Sequence, residues 1–519
     1  MKVAVLIGND VEVDARVRKY LRTFAAAGLD VVGVGLLPPG HPGDEIEVDG
    51  VRVLRRAIPA PRSAQVAGQV AEPADAPAAG PEATPVRRGT AVRALGLVRR
   101  KVRGARAKAA RIWRQRPVPR ALERTGPLGR EQQLEMYLRH PQLARWEQVL
   151  PELTAYETVF GPLLDELAPD VVHPHDVFLL GVAVRYKRRA AAEGRPVRLV
   201  YDAREYLPGL PNPPARVTAA YVDHEREFLP EADRVITVSD PIADELQRTF
   251  QLPRRPALVL NAPIVDPPAE PRPSVRAAAG IGGDERILLY GGGLAEPRGV
   301  HTVVEALPAM PGVHLVVVAR APSHYTRRLV ARADELGCAN RYHEVGFVDP
   351  AQVVTYFESA TVGITPLLHA GNHDWALTNK FCEYVVAGLP VVTSDTEVQA
   401  RLVEDLAIGT VFVAGDVPGC AAAVREVLAD LERYRSPLAD DAVRLRFSWP
   451  AQADVLLELY RELLGPLPVD GGPPAGVPAG VPADVTDGAP AVIEEPDPRR
   501  PGDETMADAP PSDPRGTAT

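Results

Sequence analysis

Short apolar runs recur along the chain at 3–7, 31–36, 51–54, 171–173, 198–201, 235–238 and 258–260, rich in Val, Ile and Leu and bounded by polar or turn-forming residues. Their length and β-branched content predict buried strands. Between several of them, 15–27, 177–193 and 216–229 carry apolar positions at the spacing of one helix face. After a Pro-rich stretch at 263–273 the pattern restarts. Strands are predicted at 287–290, 313–318, 342–345, 362–365, 391–393 and 411–413, and helices at 299–307, 324–337, 379–387 and 417–432. Strand and helix in alternation imply a parallel sheet covered on both faces. Two such units in succession predict an α/β chain of two doubly wound domains facing a cleft, with ligands beyond the carboxyl ends of the strands. The first domain spans 1–262, with a linker and basic helical insertion at about 59–130, and the second spans 263–446.

Composition changes this picture in three places. The 54 prolines of the 519 residues are unevenly placed, with clusters in 59–85 and 466–511. The first cluster has the composition of a linker, and 466–519 is an acidic Pro/Ala-rich tail with nothing to bury; disorder is expected in both. The segment 87–120 holds 13 Arg or Lys and no acidic residue, within a chain of formal net charge −9. Its apolar positions run from Val92, Leu95 and Val98 to Ile112 and Trp113, mostly in steps of three and four. That is the pattern of a helix lying on an anionic membrane surface. A helix packed on the N-terminal domain with its cationic face in water fits equally well. Nucleic acid is not expected as a partner, because no stacking aromatics accompany the charge. The three cysteines have no paired spacing, no 18-residue apolar run occurs, and the short apolar start lacks the features of a signal peptide. A cytoplasmic location is expected, peripheral at the inner face of the plasma membrane if 87–120 binds lipid.

Two motifs carry chemistry. In Asn379-Lys-Phe-Cys-Glu-Tyr-Val-Val-Ala-Gly-Leu-Pro390, Asn379 and Lys380 open a helix that Gly388 ends. A helix N-terminus at Thr378–Asn379 offers free N–H groups and partial positive charge to a diphosphate, and Lys380 adds a full charge. Glu383, one turn on, can accept hydrogen bonds from vicinal ribose hydroxyls. An ordinary helix–strand unit with a surface lysine would show the same spacing. The second motif, Tyr290-Gly-Gly-Gly-Leu-Ala-Glu-Pro-Arg-Gly299, joins a strand to a helix. There Gly292 and Gly293 let backbone approach a phosphate, and Arg298 can grip its oxygens with a two-pronged fork. It lacks the Gly-Lys-Ser/Thr of a Walker loop. No Asp-x-Asp metal motif stands in a suitable loop, since neither Asp10-Val-Glu12 nor Asp440-Asp441 qualifies by context, so no metal and no cofactor are expected.

Together the two motifs resemble the C-terminal donor site of the family-4 glycosyltransferases of the GT-B fold. The likeness extends through Asn9-Asp-Val-Glu-Val-Asp-Ala-Arg-Val-Arg18, Asp170-Val-Val-His-Pro-His-Asp176, Tyr201-Asp-Ala-Arg-Glu205, Ala232-Asp-Arg-Val-Ile-Thr-Val-Ser239 and Asn261-Ala-Pro263. It closes at Ser448-Trp-Pro-Ala-Gln452, where the family has a helix, here 447–465, that crosses back onto the N-terminal domain. Only 55–140 and the tail lie outside the match. There are departures. The family's Gly-Arg is Gly292-Gly293, leaving Arg298 at the second basic position. A Glu eight residues before Glu383 is replaced by Trp375, and Arg204 stands where a His is usual.

The resemblance implies two Rossmann-like domains. It also implies retaining, metal-independent transfer of a sugar from a nucleotide-diphosphate donor to a glycan or lipid-linked acceptor. In that scheme Arg298, Lys380 and the Thr378–Asn379 helix start stabilise the departing diphosphate, and Glu383 holds the donor. His175 contacts the transferred sugar or acceptor, with His173 and Asp176 beside it. Gly8 lets the first loop approach the donor, and Asp14, Arg16, Arg204 and Glu205 shape the acceptor side. A nucleotide-sugar 2-epimerase on the same scaffold, or a non-catalytic binding scaffold, would share these landmarks. A two-carboxylate hydrolase fits less well, because no carboxylate pair is positioned for it.

Overall fold

The computed structural model describes residues 1–38, 41, 43–58, 129–210, 213–265, 272–318 and 323–468. The expected linker, the cationic segment 87–120 and the acidic tail beyond 468 lie outside the described residues.

The N-terminal sheet has eight strands: β1 (Lys2–Leu6), β2 (Asp30–Leu36), β3 (Glu45–Val48), β4 (Val51–Arg56), β5 (Val171–Pro174), β6 (Arg198–Asp202), β7 (Arg234–Thr237) and β8 (Ala257–Leu258). Their order is β3-β4-β2-β1-β5-β6-β7-β8. Every pair is parallel except β3 with β4. β1 sits mid-sheet, which explains its almost unbroken burial, since a strand covered by helices on both faces has no polar side to show. β3 is absent from the apolar pattern. Its charged Glu45 and Glu47 face solvent on a sheet edge, so it carries no apolar run. The signal that marks it is Asp49-Gly50, both at positive φ (51° and 77°), a two-residue hairpin turn between Val48 and Val51.

The helices that cover this sheet include α1 (Ala15–Ala26), α2 (Glu152–Leu167), α3 (Val177–Ala192) and α4 (Ala215–Phe228). One core cluster joins α2, α3 and α4 to one face of the sheet, through residues such as Phe160, Leu164, Leu180 and Tyr201. The other face carries α1, with Val17, Tyr20, Leu21 and Phe24 buried.

The second sheet comprises β9 (Arg286–Gly291), β10 (Val313–Val318), β11 (Tyr342–Val345), β12 (Val362–Thr365), β13 (Val391–Ser394) and β14 (Gly409–Phe412). Its order is β11-β10-β9-β12-β13-β14, with each paired neighbour parallel. Its functional helix is α5 (Asn379–Val386). The last described helix, α6 (Trp449–Leu464), does not pack on this sheet. Trp449, Ala453, Leu456 and Tyr460 are buried in the same cluster as Val3, Val17 and Tyr20 of the N-terminal sheet. Trp449 is held at both ends, its N–H donating to Pro263 (2.8 Å) and its indole Nε1 to Thr23 (2.9 Å). The two sheets are therefore joined by two crossings, near 260–263 and near 447–449. Cys338, Cys382 and Cys420 are free and buried. Among the described residues, no helix is long and apolar enough to cross a membrane.

Candidate active site

β1, β5 and β6 are neighbours, and their carboxyl ends present Gly8, His175 and Asp202 together. Arg16, on the first turn of α1, grips both oxygens of Asp202 (2.7 and 3.0 Å), and neither side chain is more than 1% exposed. His175 Nδ1 lies 3.0 Å from the same carboxylate, while its Nε2 is buried without a protein partner. Burial holds the His175 imidazole below its ordinary pKa, so it is neutral at pH 7. Burial would raise Asp202, but Arg16 and His175 outweigh it and hold the carboxyl far below the usual range. Asp14 caps α1 by accepting the Val17 N–H (2.9 Å) and pairs with Arg204 (2.9 Å). Burial opposes its ionisation, and the Arg204 guanidinium overcomes that and lowers its pKa. Asp176 caps α3 at φ 146°, a conformation that costs an L residue energy and concentrates at functional sites. One oxygen accepts Gly8 N–H (3.0 Å) and the other Phe178 N–H (2.9 Å), yet burial still pushes the carboxyl up to about 7. A Cβ at Gly8 would stand 3.1 Å from both Asp176 and Phe178, so glycine serves the packing of these two loops.

His173 lies beside His175, their rings stacked with centres 4.7 Å apart, but deeper in β5. It points into the core, with Nδ1 2.8 Å from the Tyr460 hydroxyl and its ring against Tyr20 (5.3 Å). The strand's period of two puts both histidines on one face of β5; His173, two residues further from the carboxyl end, meets the closing helix α6, whereas His175 stands just past the strand end beside Asp202.

On the C-terminal side, Gly291 ends β9 and Gly292 takes φ 133°. The Tyr384 hydroxyl receives Gly291 N–H (2.8 Å) and donates to Leu289 O (3.1 Å), so a side chain of α5 fastens the glycine loop. Thr378 caps α5 and donates to Gln399 (2.7 Å). Lys380 is only 5% exposed, its ammonium 5.9 Å from the centre of the Tyr290 ring. It is thus more enclosed than a cleft-facing lysine. Gly299, at φ 72°, packs so tightly that a Cβ would fall 1.7 Å from Pro366 O, whereas one at Gly293 would meet nothing within 4 Å. Gly299→Ala is therefore expected to displace the Arg298 turn and weaken nucleotide binding at least tenfold, with Gly293→Ala close to wild type. Calorimetric titration of both variants checks this, and equal affinities would refute it.

Between the two sheets lies a cleft of about 980 Å³, counting its open mouth. Ala15, Arg18, Lys19 and Arg22 of α1 form one wall, and Gly291, Gly292, Asn379 and Glu383 face them, with residues from 347 to 353 closing a third side. Gly293, Arg298, Thr378 and Lys380 are not among its lining residues. Arg298 instead lies within electrostatic reach of Glu205 and His373.

Elsewhere the two sheets are clasped. Asn372 donates to Glu205 and accepts Tyr206 N–H (3.1 Å), and Trp375 packs on Tyr206 with ring centres 4.5 Å apart. Burial raises the Glu205 pKa. Lys19, Asp202, Asn372 and Tyr384 are site residues that sequence reasoning does not single out. Tyr384 and Asp202 lie inside recognisable motifs, whereas Lys19 and Asn372 give no local signal.

His173, His175 and Asp202 bring three potential ligand atoms within 4.8 Å of one another. Arg16 already holds both oxygens of that carboxylate, so a divalent cation there would share them with a full positive charge.

Comparison with known proteins agrees with this geometry. Residues 118–264 match the family described as Glycosyltransferase Family 4, and residues 285–430 the one described as Glycosyl transferases group 1. The D-inositol 3-phosphate glycosyltransferases of Mycobacterium tuberculosis and Mycobacterium bovis are 28% identical over 271 residues, 49% of this chain and 53% of theirs. The chain thus spans about half the length of the curated relatives it matches. Among solved structures, sucrose-phosphate synthase from Thermosynechococcus elongatus has a TM-score of 0.59 at 17% identity, covering 89% of this chain and 99% of its own. Anabaena HepE in complex with UDP-glucose has 0.54 at 13%, covering 89% and 100%. These likenesses show the fold. With both halves matched in order and two Rossmann-like sheets facing one cleft, the chain belongs to the family-4-like glycosyltransferases of the GT-B fold.

Proposed function

We propose that this protein is a retaining, metal-independent glycosyltransferase that moves a sugar from a nucleotide-diphosphate donor to a glycan or lipid-linked acceptor. The observation that carries the proposal is the cleft in which Gly291, Gly292, Asn379 and Glu383 face α1 from the other sheet. The nucleoside end of the donor lies along this wall, with Glu383 on the ribose hydroxyls. The diphosphate meets the N-terminus of α5, Lys380 and Arg298, which offset the charge that grows as the glycosidic bond breaks. His175, neutral and with a free Nε2, offers one hydrogen bond to the transferred sugar or to the acceptor hydroxyl, and its Nδ1 lies 3.0 Å from the Asp202 carboxylate that Arg16 grips. Asp14, Arg204 and Glu205 border the acceptor side. The D-inositol 3-phosphate glycosyltransferase relatives and the UDP-glucose complex of a fold neighbour support this class of reaction. A cytoplasmic protein, peripheral at an anionic membrane surface through 87–120, completes the proposal.

The test is binding followed by turnover. Uridine or guanosine diphosphate is expected to raise the melting temperature, since a ligand that binds only the folded state stabilises it. The matching nucleotide sugar should then be consumed only when an acceptor is present. Conversion of the donor alone into a second nucleotide sugar would instead identify an epimerase. Failure of every nucleotide to bind would overturn the proposal.

A further inference from the structure

Lys19 is an anomaly in the cleft. It is 7% exposed, on an α1 wall shared with Ala15 and the longer Arg18 and Arg22, and it is the point where the two crossings between the sheets converge. Its ammonium donates to Asn261 Oδ1 (2.7 Å) and to Ala262 O (2.5 Å) on the outgoing crossing. It also lies 5.0 Å from the centre of the Trp449 indole on the returning one. Two of its three N–H donors are thereby spent on the linker, and the residue still lines the cleft opposite Glu383 and Asn379. A packing lysine needs no place on a ligand cleft, and a surface lysine would not be enclosed by both crossings.

We propose that Lys19 is a donor-binding residue contributed by the N-terminal sheet: its remaining N–H meets the nucleoside diphosphate from the wall opposite Glu383, and its contacts with Asn261 and Trp449 tie occupancy of the cleft to the two crossings. This deepens the function proposed above and rests on it. The charged groups around Lys19 are Asp14 at the cap of its own helix, Arg16, Arg18 and Arg22 on that helix, Asp49 on the β3–β4 turn, Glu383 on α5 and Asp349 on the third side. Burial, reinforced by Arg16, pushes the ammonium down to about 7, with Glu383 and Asp14 opposing. Burial holds the Cys382 thiol up at about 12 and keeps His175 neutral, so neither competes between pH 7 and 9. An anionic ligand favours the protonated lysine. Affinity therefore falls as pH rises through this window, because the free protein must regain a proton to bind.

The experiment is calorimetric titration of the full chain with uridine diphosphate and guanosine diphosphate from pH 7 to 9. This range lies above the second ionisation of the phosphate. Wild-type affinity is expected to fall by up to about tenfold per pH unit. Lys19→Met should bind roughly ten- to a hundredfold more weakly with a flat profile. Lys19→Arg, whose guanidinium does not titrate here, should retain binding with an equally flat profile. If Lys19→Met does not fold, the wild type and Lys19→Arg alone decide. Parallel profiles for those two, or wild-type affinity in Lys19→Met, would overturn the assignment of Lys19 and leave the donor site standing. No nucleotide binding to the wild type would overturn both.

Discussion

Lys380→Ala is expected to lower the transfer rate roughly a hundredfold or more while the chain still folds. The leaving diphosphate gains negative charge as the sugar departs, so a cation beside it is worth more in the transition state than in the ground state. Removing one preorganised group of this kind typically costs two to three orders of magnitude in kcat. The enclosure of Lys380 against Tyr290 strengthens the expectation, because a poorly solvated ammonium acts through a lower effective dielectric. It also requires a packing control. Lys380→Met keeps a long apolar side chain at this buried position and should be as inactive as the alanine variant while melting with the wild type. Glu383→Ala should differ in kind: a contact to the ribose is made equally in ground and transition states, so the donor KM rises more than kcat falls. Steady-state kinetics with circular dichroism separate these cases. Full activity in a folded Lys380→Met protein would remove Lys380 from the donor site.

Asp202→Asn carries the largest expected effect on stability. Arg16 and Asp202 are both buried, and the carboxylate is also 3.0 Å from His175. Removing its charge strands the guanidinium in the core, where breaking one side of a buried pair costs about 3–5 kcal/mol. In a domain of this size that corresponds to a melting temperature lower by on the order of 10 °C. The double variant Arg16→Met, Asp202→Leu should recover most of the loss, since an apolar replacement of a buried pair is often nearly neutral. It should nevertheless transfer poorly, because His175 loses the carboxylate that orients its ring. Thermal melts of the single and double variants are the measurement. A single variant that melts with the wild type would mean the pair contributes nothing net to the fold.

Much of the architecture is legible in the apolar spacing. Strands 313–318, 342–345 and 362–365 have the bounds expected, and most others differ by only one or two residues. Interior strands of a parallel sheet are apolar on both faces and announce themselves as short runs. β3 escapes for the converse reason, an edge strand being under no pressure to be apolar. The α5 motif and the glycine loop are legible because each draws its meaning from neighbours within a turn: a cap, a helix start, a glycine at a strand end. The site expectations divide along the same line. Gly292, Asn379 and Glu383 stand on the cleft wall, whereas His173, on the same face of β5 as His175 but two residues deeper, is covered by α6.

By itself, then, the sequence determined the order of strands and helices, the two glycine-marked turns, and which residue types stand at the strand ends. Those features depend on dihedral preferences and on side-chain periods of two and 3.6, which are local. The tertiary structure alone decided that Arg16 meets Asp202, 186 positions away, and that Lys19 reaches Asn261 and Trp449. It alone decided that Trp375 lies on Tyr206. Each of these contacts depends on which strands become neighbours and where the closing helix returns. No period in the chain encodes that, because it is settled by how the two sheets bury their faces together.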